Sequence, residues 1–160
     1  MYIWHSGWQT PALAGFGLSF DLCVRHPQLK DTIELVRRCP QVQFVLDHLG
    51  KPGIRAGLME PWAEDLKALA RHDNVWCKIS GVVTEADHDD WREAQVLPYI
   101  RAGIDAFGFD RVMFGGDWPV SAQAVSYRRW VDVVDAATNT ATPSQRHKLF
   151  RENARAFYGV

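Results

Sequence analysis

Short apolar runs alternate along the chain with longer segments whose apolar residues recur at helical spacing. Four runs predict β-strands, because each is short, mostly apolar and followed by a polar or glycine-containing segment. The predicted strands cover Gly17–Val24, Val42–Asp47, Val75–Ser80 and Arg111–Phe114. The second run is continuously apolar, which is typical of a parallel strand covered on both faces.

A helical pattern follows each predicted strand. Apolar spacing predicts helices over residues 28–38, 61–70, 90–107 and 127–134, and a last helix that starts at Thr142 and Pro143. Asp90 with Glu93 three residues later indicates a capping-box start for the third helix. Pro98 within that helix predicts a kink or a later start. The segment Trp8–Ala14 could form a helix before the first strand.

Strands that alternate with helices predict a parallel α/β fold joined by right-handed crossovers. With 160 residues and no internal linker, we expect a single domain over residues 1–160. Four strand–helix units fit two architectures equally well. They could form an open doubly wound sheet, or half of an eight-stranded barrel.

Composition and charge limit the classes of partner that this chain is expected to bind. The formal net charge of −1 gives no electrostatic reason to expect nucleic acid or an anionic membrane, and no apolar stretch approaches a membrane span of about 20 residues. The three cysteines, Cys23, Cys39 and Cys77, are an odd number scattered through predicted core elements, which does not fit a disulfide framework. We therefore expect reduced thiols in a cytoplasmic protein.

The candidate chemistry lies where the strands end. Because parallel strands joined by crossovers end on one side of the sheet, the residues that follow them should share one mouth. These residues are Arg25, His26, Asp47, His48, Lys51, Ser80, Glu85, Asp117 and Trp118. A histidine, carboxylates and basic groups at one mouth could bind an oxyanion, hold a cation or move protons.

Each candidate also has a purely structural interpretation. His48 could be a buried histidine bonded to backbone, and Asp117 could stabilise a turn. Arg25 and His26 could be surface groups at a helix start, and Lys51 could be a solvated charge. The acidic segment 84–90 lacks the spacing of a calcium-binding hand, so a solvated loop is preferred there. No glycine-rich phosphate loop and no Gly-x-Ser-x-Gly elbow occurs.

Five segments together resemble the amidohydrolase-related family, and within it the sugar-lactonase group. That group includes L-fuconolactonase-, L-rhamnonolactonase- and 2-pyrone-4,6-dicarboxylate lactonase-like hydrolases. The runs Asp-His-Leu-Gly-Lys-Pro from Asp47 and Gly-Asp-Trp-Pro from Gly116 carry most of the resemblance. The segments are Gly17–Leu22, Phe44–Pro52, Cys77–Gly81, Val112–Val120 and Asn153–Gly159.

The resemblance implies a (β/α)8 barrel that hydrolyses a sugar-acid lactone or a similar cyclic ester. On it, Asp117 would be the general base that activates water. His48 would ligate a metal or polarise the lactone carbonyl. The resemblance leaves the cofactor open, with one divalent metal such as zinc, held by His48 and Asp117, as the candidate. Arg25, His26, Lys51 and Trp118 are the candidate substrate-binding residues.

One departure from the family pattern matters. The family's His-x-His pair on the first barrel strand has no match here, since His5 stands alone. A complete barrel needs about 250 residues, so we expect this chain to be the C-terminal half, with four βα units and two unpaired edges. It would then self-associate or require the missing N-terminal half. The alternatives are a catalytically inactive half-barrel and an open-sheet domain that binds a small ligand.

Overall fold

The computed structural model describes residues 10–160, in which four parallel strands form a sheet. The strands β1 (Phe20–Leu22), β2 (Phe44–Leu46), β3 (Val75–Ile79) and β4 (Val112–Phe114) lie in the order β1-β2-β3-β4. A doubly wound sheet reverses its strand order at a switch point. Every strand here pairs with its sequence neighbour, as in a segment of a barrel, so the open doubly wound alternative is wrong.

Seven α-helices accompany the strands in the described part of the chain. The ones that follow the strands are close to their predicted positions. The helices are α1 (Thr10–Gly15), α2 (Leu29–Arg38), α3 (Trp62–Ala70), α4 (Glu93–Phe107), α5 (Tyr127–Ala137), α6 (Pro143–His147) and α7 (Asn153–Tyr158). The strands are shorter than predicted, because the residues at their ends turn away from the ladder. Asp47, for example, belongs to the turn that follows β2, in which His48 and Leu49 have positive φ.

Local details of two helices differ from the predictions. The predicted capping role of Asp90 is wrong, because α4 starts at Glu93 and Arg92 N donates to Gln95 Oε1 at 2.8 Å. The helix begins later than Asp90 and continues through Pro98. The last predicted helix is divided into α6, a π-helical turn over Lys148–Glu152, and α7. Of the predicted Trp8–Ala14 helix, Trp8 lies outside the described residues, as does His5.

The outer face of the sheet, which we define as the face covered by α2 to α5, holds the main core. Its side chains alternate along the strands, as a pleated sheet requires. Strand and helix residues in this core are at most 9% exposed. The strand members include Leu22, Phe44, Leu46, Val75, Cys77, Ile79 and Val112, and the helix members include Leu29, Val36, Leu66, Leu69, Ile100, Trp130 and Val134.

The inner face carries the alternate strand residues Asp21, Val45, Trp76, Lys78 and Met113. Val45 and Met113 are buried there, apart from the main core. The C-terminal segment passes the β4 edge and reaches this face. The ring centroid of Phe157 in α7 lies 5.7 Å from that of Trp76. The chain therefore covers part of its own inner face with α7.

Two further observations concern the cysteines and the lengths of the helices. Cys23, Cys39 and Cys77 are all free thiols, with Cys39 and Cys77 buried and Cys23 exposed. No helix within residues 10–160 is both long enough and apolar enough to cross a membrane.

Candidate active site

Unusual backbone conformations mark the turns that follow β2 and β4. His48, Leu49 and Lys51 have φ angles of 55°, 54° and 49° in the first turn, and Asp117 has a φ of 49° in the second. Within residues 10–160, no other residue except glycine has a positive φ. Such backbone costs free energy and recurs where function requires a side chain to be held. In the first turn, Trp62 Nε1 donates to Leu49 O at 2.7 Å.

His48 and Asp117 lie side by side at the carboxyl end of the sheet. His48 Nε2 is 3.9 Å from Asp117 Oδ1, and each side chain is 16% exposed. His48 Nδ1 is in hydrogen-bond contact with Ser80 Oγ at 2.9 Å. The predicted proximity of the two residues is confirmed. Atoms separated by 3.9 Å can both contact one oxygen at hydrogen-bond distances of about 2.8 Å, so a single water can be bound by both.

Two glycines make this close approach possible. A Cβ on Gly81, whose φ is +57°, would lie 2.3 Å from Asp117 Oδ2 and 2.7 Å from His48 Nδ1. A Cβ on Gly115 would lie 2.8 Å from Ser80 Cβ. Both contacts are closer than packed atoms tolerate. The backbone at Gly81 and Gly115, which follow β3 and β4, therefore forms one wall of the site. A side chain at either position would fill the space that the site occupies.

A cavity of about 350 Å³ extends from this pair along the inner face of the sheet. Its lining includes polar side chains and one lysine, Lys78. The residues that matter below are Asp47, His48, Lys78, Ser80, Asp117 and Tyr158. A cavity of this size is within the range that holds small-molecule ligands. Because α7 contributes Tyr158, the end of the chain forms part of the cavity wall.

Lys78 connects the carboxylates of the inner face. Its Nζ lies 2.5 Å from Asp21 Oδ2 and 2.9 Å from Asp47 Oδ1, and Tyr158 donates to Asp21 Oδ2 at 2.8 Å. Burial by itself lowers the pKa of Lys78. Hydrogen bonds with Asp21, Tyr158 and Asp47 outweigh burial, so the pKa of Lys78 is raised above its ordinary value. Lys78 is therefore a cation in the cavity at neutral pH.

The carboxyl ends of β1 and β2 bring together three donors that can bind a metal. The ligand atoms of Cys23, Asp47 and His48 all lie within 4.8 Å of one another. His48 and Asp117, the pair expected to hold a metal, supply only two ligands, whereas a catalytic zinc site uses three protein ligands and an open position. The donors present around His48 thus fit a divalent metal only when Cys23 and Asp47 are included.

The remaining predicted site residues lie elsewhere. Arg25 and His26 line a second cavity of about 360 Å³ together with Glu85, which forms an ion pair with Arg25 at 3.6 Å. Lys51 belongs to the lining of neither cavity, and Trp118 is 72% exposed. These residues therefore do not line the His48–Asp117 cavity. Their roles in substrate binding remain predictions.

The sequence predictions missed Lys78 and Tyr158. Lys78 gave one usable signal, since a single charge inside the apolar run Val75–Ile79 must point away from the core on a strand of period two. Tyr158 gave none, because its approach to the cavity depends on how the C-terminal segment passes the β4 edge.

Comparison with known proteins identifies the chain's relatives. The family model described as Amidohydrolase matches residues 6–160. The chain belongs to the amidohydrolase family. This amidohydrolase is 37% identical over 154 residues to an L-fucono-1,5-lactonase from Burkholderia ambifaria. It is 33% identical over 85 residues to a 2-pyrone-4,6-dicarboxylate hydrolase from Comamonas testosteroni, which covers 47% of this chain and 27% of that relative.

The relatives are about twice as long as this amidohydrolase. The match to the B. ambifaria lactonase covers 93% of this chain and 52% of that protein. The crystal structure of an amidohydrolase from Burkholderia multivorans with bound zinc superposes with a TM-score of 0.92 at 31% identity, over 96% of this chain and 57% of the other. The four parallel βα units are accordingly half of a barrel of this family, as predicted.

Proposed function

We propose that this amidohydrolase supplies the water-activating part of a site that opens sugar-acid lactones. The observation that carries the proposal is the His48–Asp117 pair, 3.9 Å apart in a partly enclosed cavity. The similarity to an L-fucono-1,5-lactonase supports the substrate class. Lactone opening requires a base for water and a group that stabilises the developing oxyanion, and the cavity offers candidates for both.

The proposed step assigns one task to each residue. Asp117 accepts a proton as the water oxygen attacks the lactone carbonyl carbon. The ring C–O bond then breaks, the proton passes to the leaving alkoxide, and a hydroxy acid is formed. His48, which Ser80 orients at Nδ1, stabilises the carbonyl oxygen. If a divalent metal is held there, it supplies Lewis-acid stabilisation of the same oxygen. The zinc bound in the B. multivorans relative supports this option.

We further propose that the chain works together with a second half-barrel. The chain spans about half of the relatives that it matches, and in the described structure β1 and β4 each pair with one neighbour only. Free parallel edges favour pairing with another chain. The partner could be an N-terminal half of the family or a second copy of this chain.

The free thiols support a cytoplasmic location.

The test is hydrolysis of a panel of sugar-acid lactones, followed by a pH indicator. The 160-residue chain would be measured alone and mixed with the N-terminal half of the B. ambifaria lactonase. We expect little turnover by the chain alone and clear turnover by the mixture. Robust turnover by the chain alone would contradict the need for a second half.

Asp117→Asn in the active mixture tests the assignment of the base. Because general base catalysis contributes about 10²–10⁴-fold, we expect kcat to fall by that factor. Asp73→Asn is the control, since Asp73 is exposed and precedes β3 at the opposite end of the sheet. Activity that survives Asp117→Asn would refute this role. His48→Gln should have the milder effect if no metal is bound, and a comparable one if a metal is.

A further inference from the structure

We propose that Cys23, Asp47 and His48 form a thiolate-containing site for a divalent transition metal such as zinc. The site does not depend on lactone hydrolysis or on a second half-barrel. It also differs from the metal pair expected from the sequence, because Asp117 is not one of its ligands. All three donors come from the carboxyl ends of β1 and β2, within the described chain.

Strand register brings two of the donors together. Leu22 and Leu46 are partners at the ends of β1 and β2, so the next residues, Cys23 and Asp47, are also opposite each other. Side chains alternate between the faces of a sheet. Leu22 and Leu46 belong to the outer core, so the alternation directs Cys23 and Asp47 to the inner face. The left-handed conformation of His48 then adds the third donor directly after Asp47.

The donor set suits a borderline-soft cation. Thiolate, imidazole and carboxylate are the three side-chain ligands that zinc accepts, and three protein ligands leave one position open. At the usual bond lengths, tetrahedral zinc places its ligand atoms about 3.3–3.7 Å apart. The donors lie within 4.8 Å of one another, so about an ångström of movement is needed. Cys23 is exposed and has room to make it.

The contacts of Asp47 are compatible with this role. Asp47 Oδ1 is buried, and Lys78 Nζ is its ion-pair partner at 2.9 Å. Lys78 also contacts Asp21, so it keeps one carboxylate partner when Asp47 turns to a metal. The other two cysteines, Cys39 and Cys77, are buried in the outer core and do not compete for the ion.

Cobalt provides a direct test of the thiolate ligand. The reduced 160-residue chain would be titrated with Co²⁺ alone and monitored for thiolate-to-cobalt charge-transfer absorption in the near ultraviolet. Zn²⁺ would then be added to displace the cobalt. We expect one cobalt per chain and loss of the band on addition of zinc. Far-ultraviolet circular dichroism and thermal unfolding would verify that each variant is folded.

Matched variants separate this site from its alternatives. Loss of an outer-shell partner already lowers metal affinity about 10–100-fold, so we expect Cys23→Ser to lower it at least 100-fold and to abolish the band. Asp47→Asn should lower affinity but keep the band at saturating cobalt. His26→Ala, the control at another strand end, should bind like the wild type.

Asp117→Asn distinguishes the proposed site from the expected metal pair. We expect it to leave cobalt affinity and the charge-transfer band unchanged. The proposal is overturned if the wild type shows no band at saturating cobalt. It is also overturned if Asp117→Asn, rather than Cys23→Ser, abolishes binding, since the ion would then lie between His48 and Asp117. Failure of the lactonase assay would not affect either result.

Discussion

The two faces of the sheet are built in different ways. The outer face is a continuous apolar core between four strands and α2 to α5, in which Phe44, Leu46 and Ile79 are fully buried. The inner face carries charges: Lys78 lies between Asp21 and Asp47, and cover comes in part from α7. The outer face therefore supplies folding free energy, while the inner face holds reactive groups that a complete barrel would enclose.

The contrast shows how half of a barrel can remain folded. Burial of apolar area is the main source of stability, and helices that belong to this chain complete that burial on the outer face. Polar groups on the inner face contribute less, because hydrogen bonds to water are exchanged for those within the protein. Stability and the candidate chemistry are thus assigned to opposite faces of the same strands.

Phe44→Ala should have the largest effect on stability. Phe44 is 0% exposed at the centre of the outer core, and removal of a buried phenylalanine ring lowers the free energy of unfolding by about 3–5 kcal/mol. Urea denaturation measures the change. Phe16→Ala is the control, because Phe16 is 79% exposed and its loss should change stability by less than about 0.5 kcal/mol. Equal losses would contradict the dominance of the outer core.

Gly81→Ala should have the next largest effect, and it acts at the inner site. An alanine with positive φ costs about 1–2 kcal/mol, and contact with Asp117 and His48 adds about 1–3 kcal/mol of overpacking. Gly57→Ala is the matched control. Gly57 has a φ of +66° but no atom within 4 Å of an added Cβ, so only the backbone cost applies. Equal destabilisation of the two variants would show that the site accommodates the extra methyl group.

Lys78→Met should destabilise the chain by about 1–3 kcal/mol at neutral pH, because it leaves two carboxylates without their shared cation. The folded pKa of Lys78 lies above the ordinary 10.5. Its contribution is therefore complete below pH 10.5 and lost as the pH rises through the folded value. The raised pKa of Tyr158, caused mainly by burial, acts with the same sign.

Urea denaturation at increasing alkaline pH tests this prediction. The wild type should lose stability on the alkaline side more steeply than Lys78→Met. Lys67→Met, which alters an exposed lysine on α3, should follow the wild type. Parallel curves for wild type and Lys78→Met would show that the inner-face cluster does not contribute to stability.

Glu34→Gln should have the smallest effect, because Glu34 pairs with Arg37 and Arg38 on the solvent side of α2. Hydrogen bonds from these arginines lower the pKa of Glu34 from 4.5 to about 2. Its contribution is present above pH 4.5 and is lost as the pH falls through about 2. We expect a slightly flatter acid unfolding curve than for the control Glu64→Gln. An effect as large as that of Lys78→Met would contradict the ranking of the two clusters.

Periodicity predicted the strands and helices because burial on the outer face imposes it. The apolar residues of β2 and the stripes of α2 to α5 follow directly from that face. Strand ends and caps were predicted less well, because they depend on single hydrogen bonds such as that between Arg92 and Gln95. The π-helical turn at Lys148–Glu152 carries no separate sequence signal.

The candidate site was predicted in part. His48 and Asp117 follow the apolar runs of β2 and β4, and the rule that parallel strands end together brings them to one mouth. Arg25, His26, Lys51 and Trp118 satisfy the same rule but are directed elsewhere, because turn conformation decides where a side chain points. Cys23 required the register of β1 against β2, which the sequence alone does not specify.

The hydrogen bond from Tyr158 to Asp21 joins residues 137 positions apart in the chain. Contacts of such long sequence separation form late, because loop closure over the intervening residues must come first. During synthesis on the ribosome, α7 emerges after the other six described helices. The outer core can therefore assemble while the inner face still lacks its cover. Until α7 docks, Trp76 and Lys78 lack the contacts that Phe157 and Tyr158 make with them.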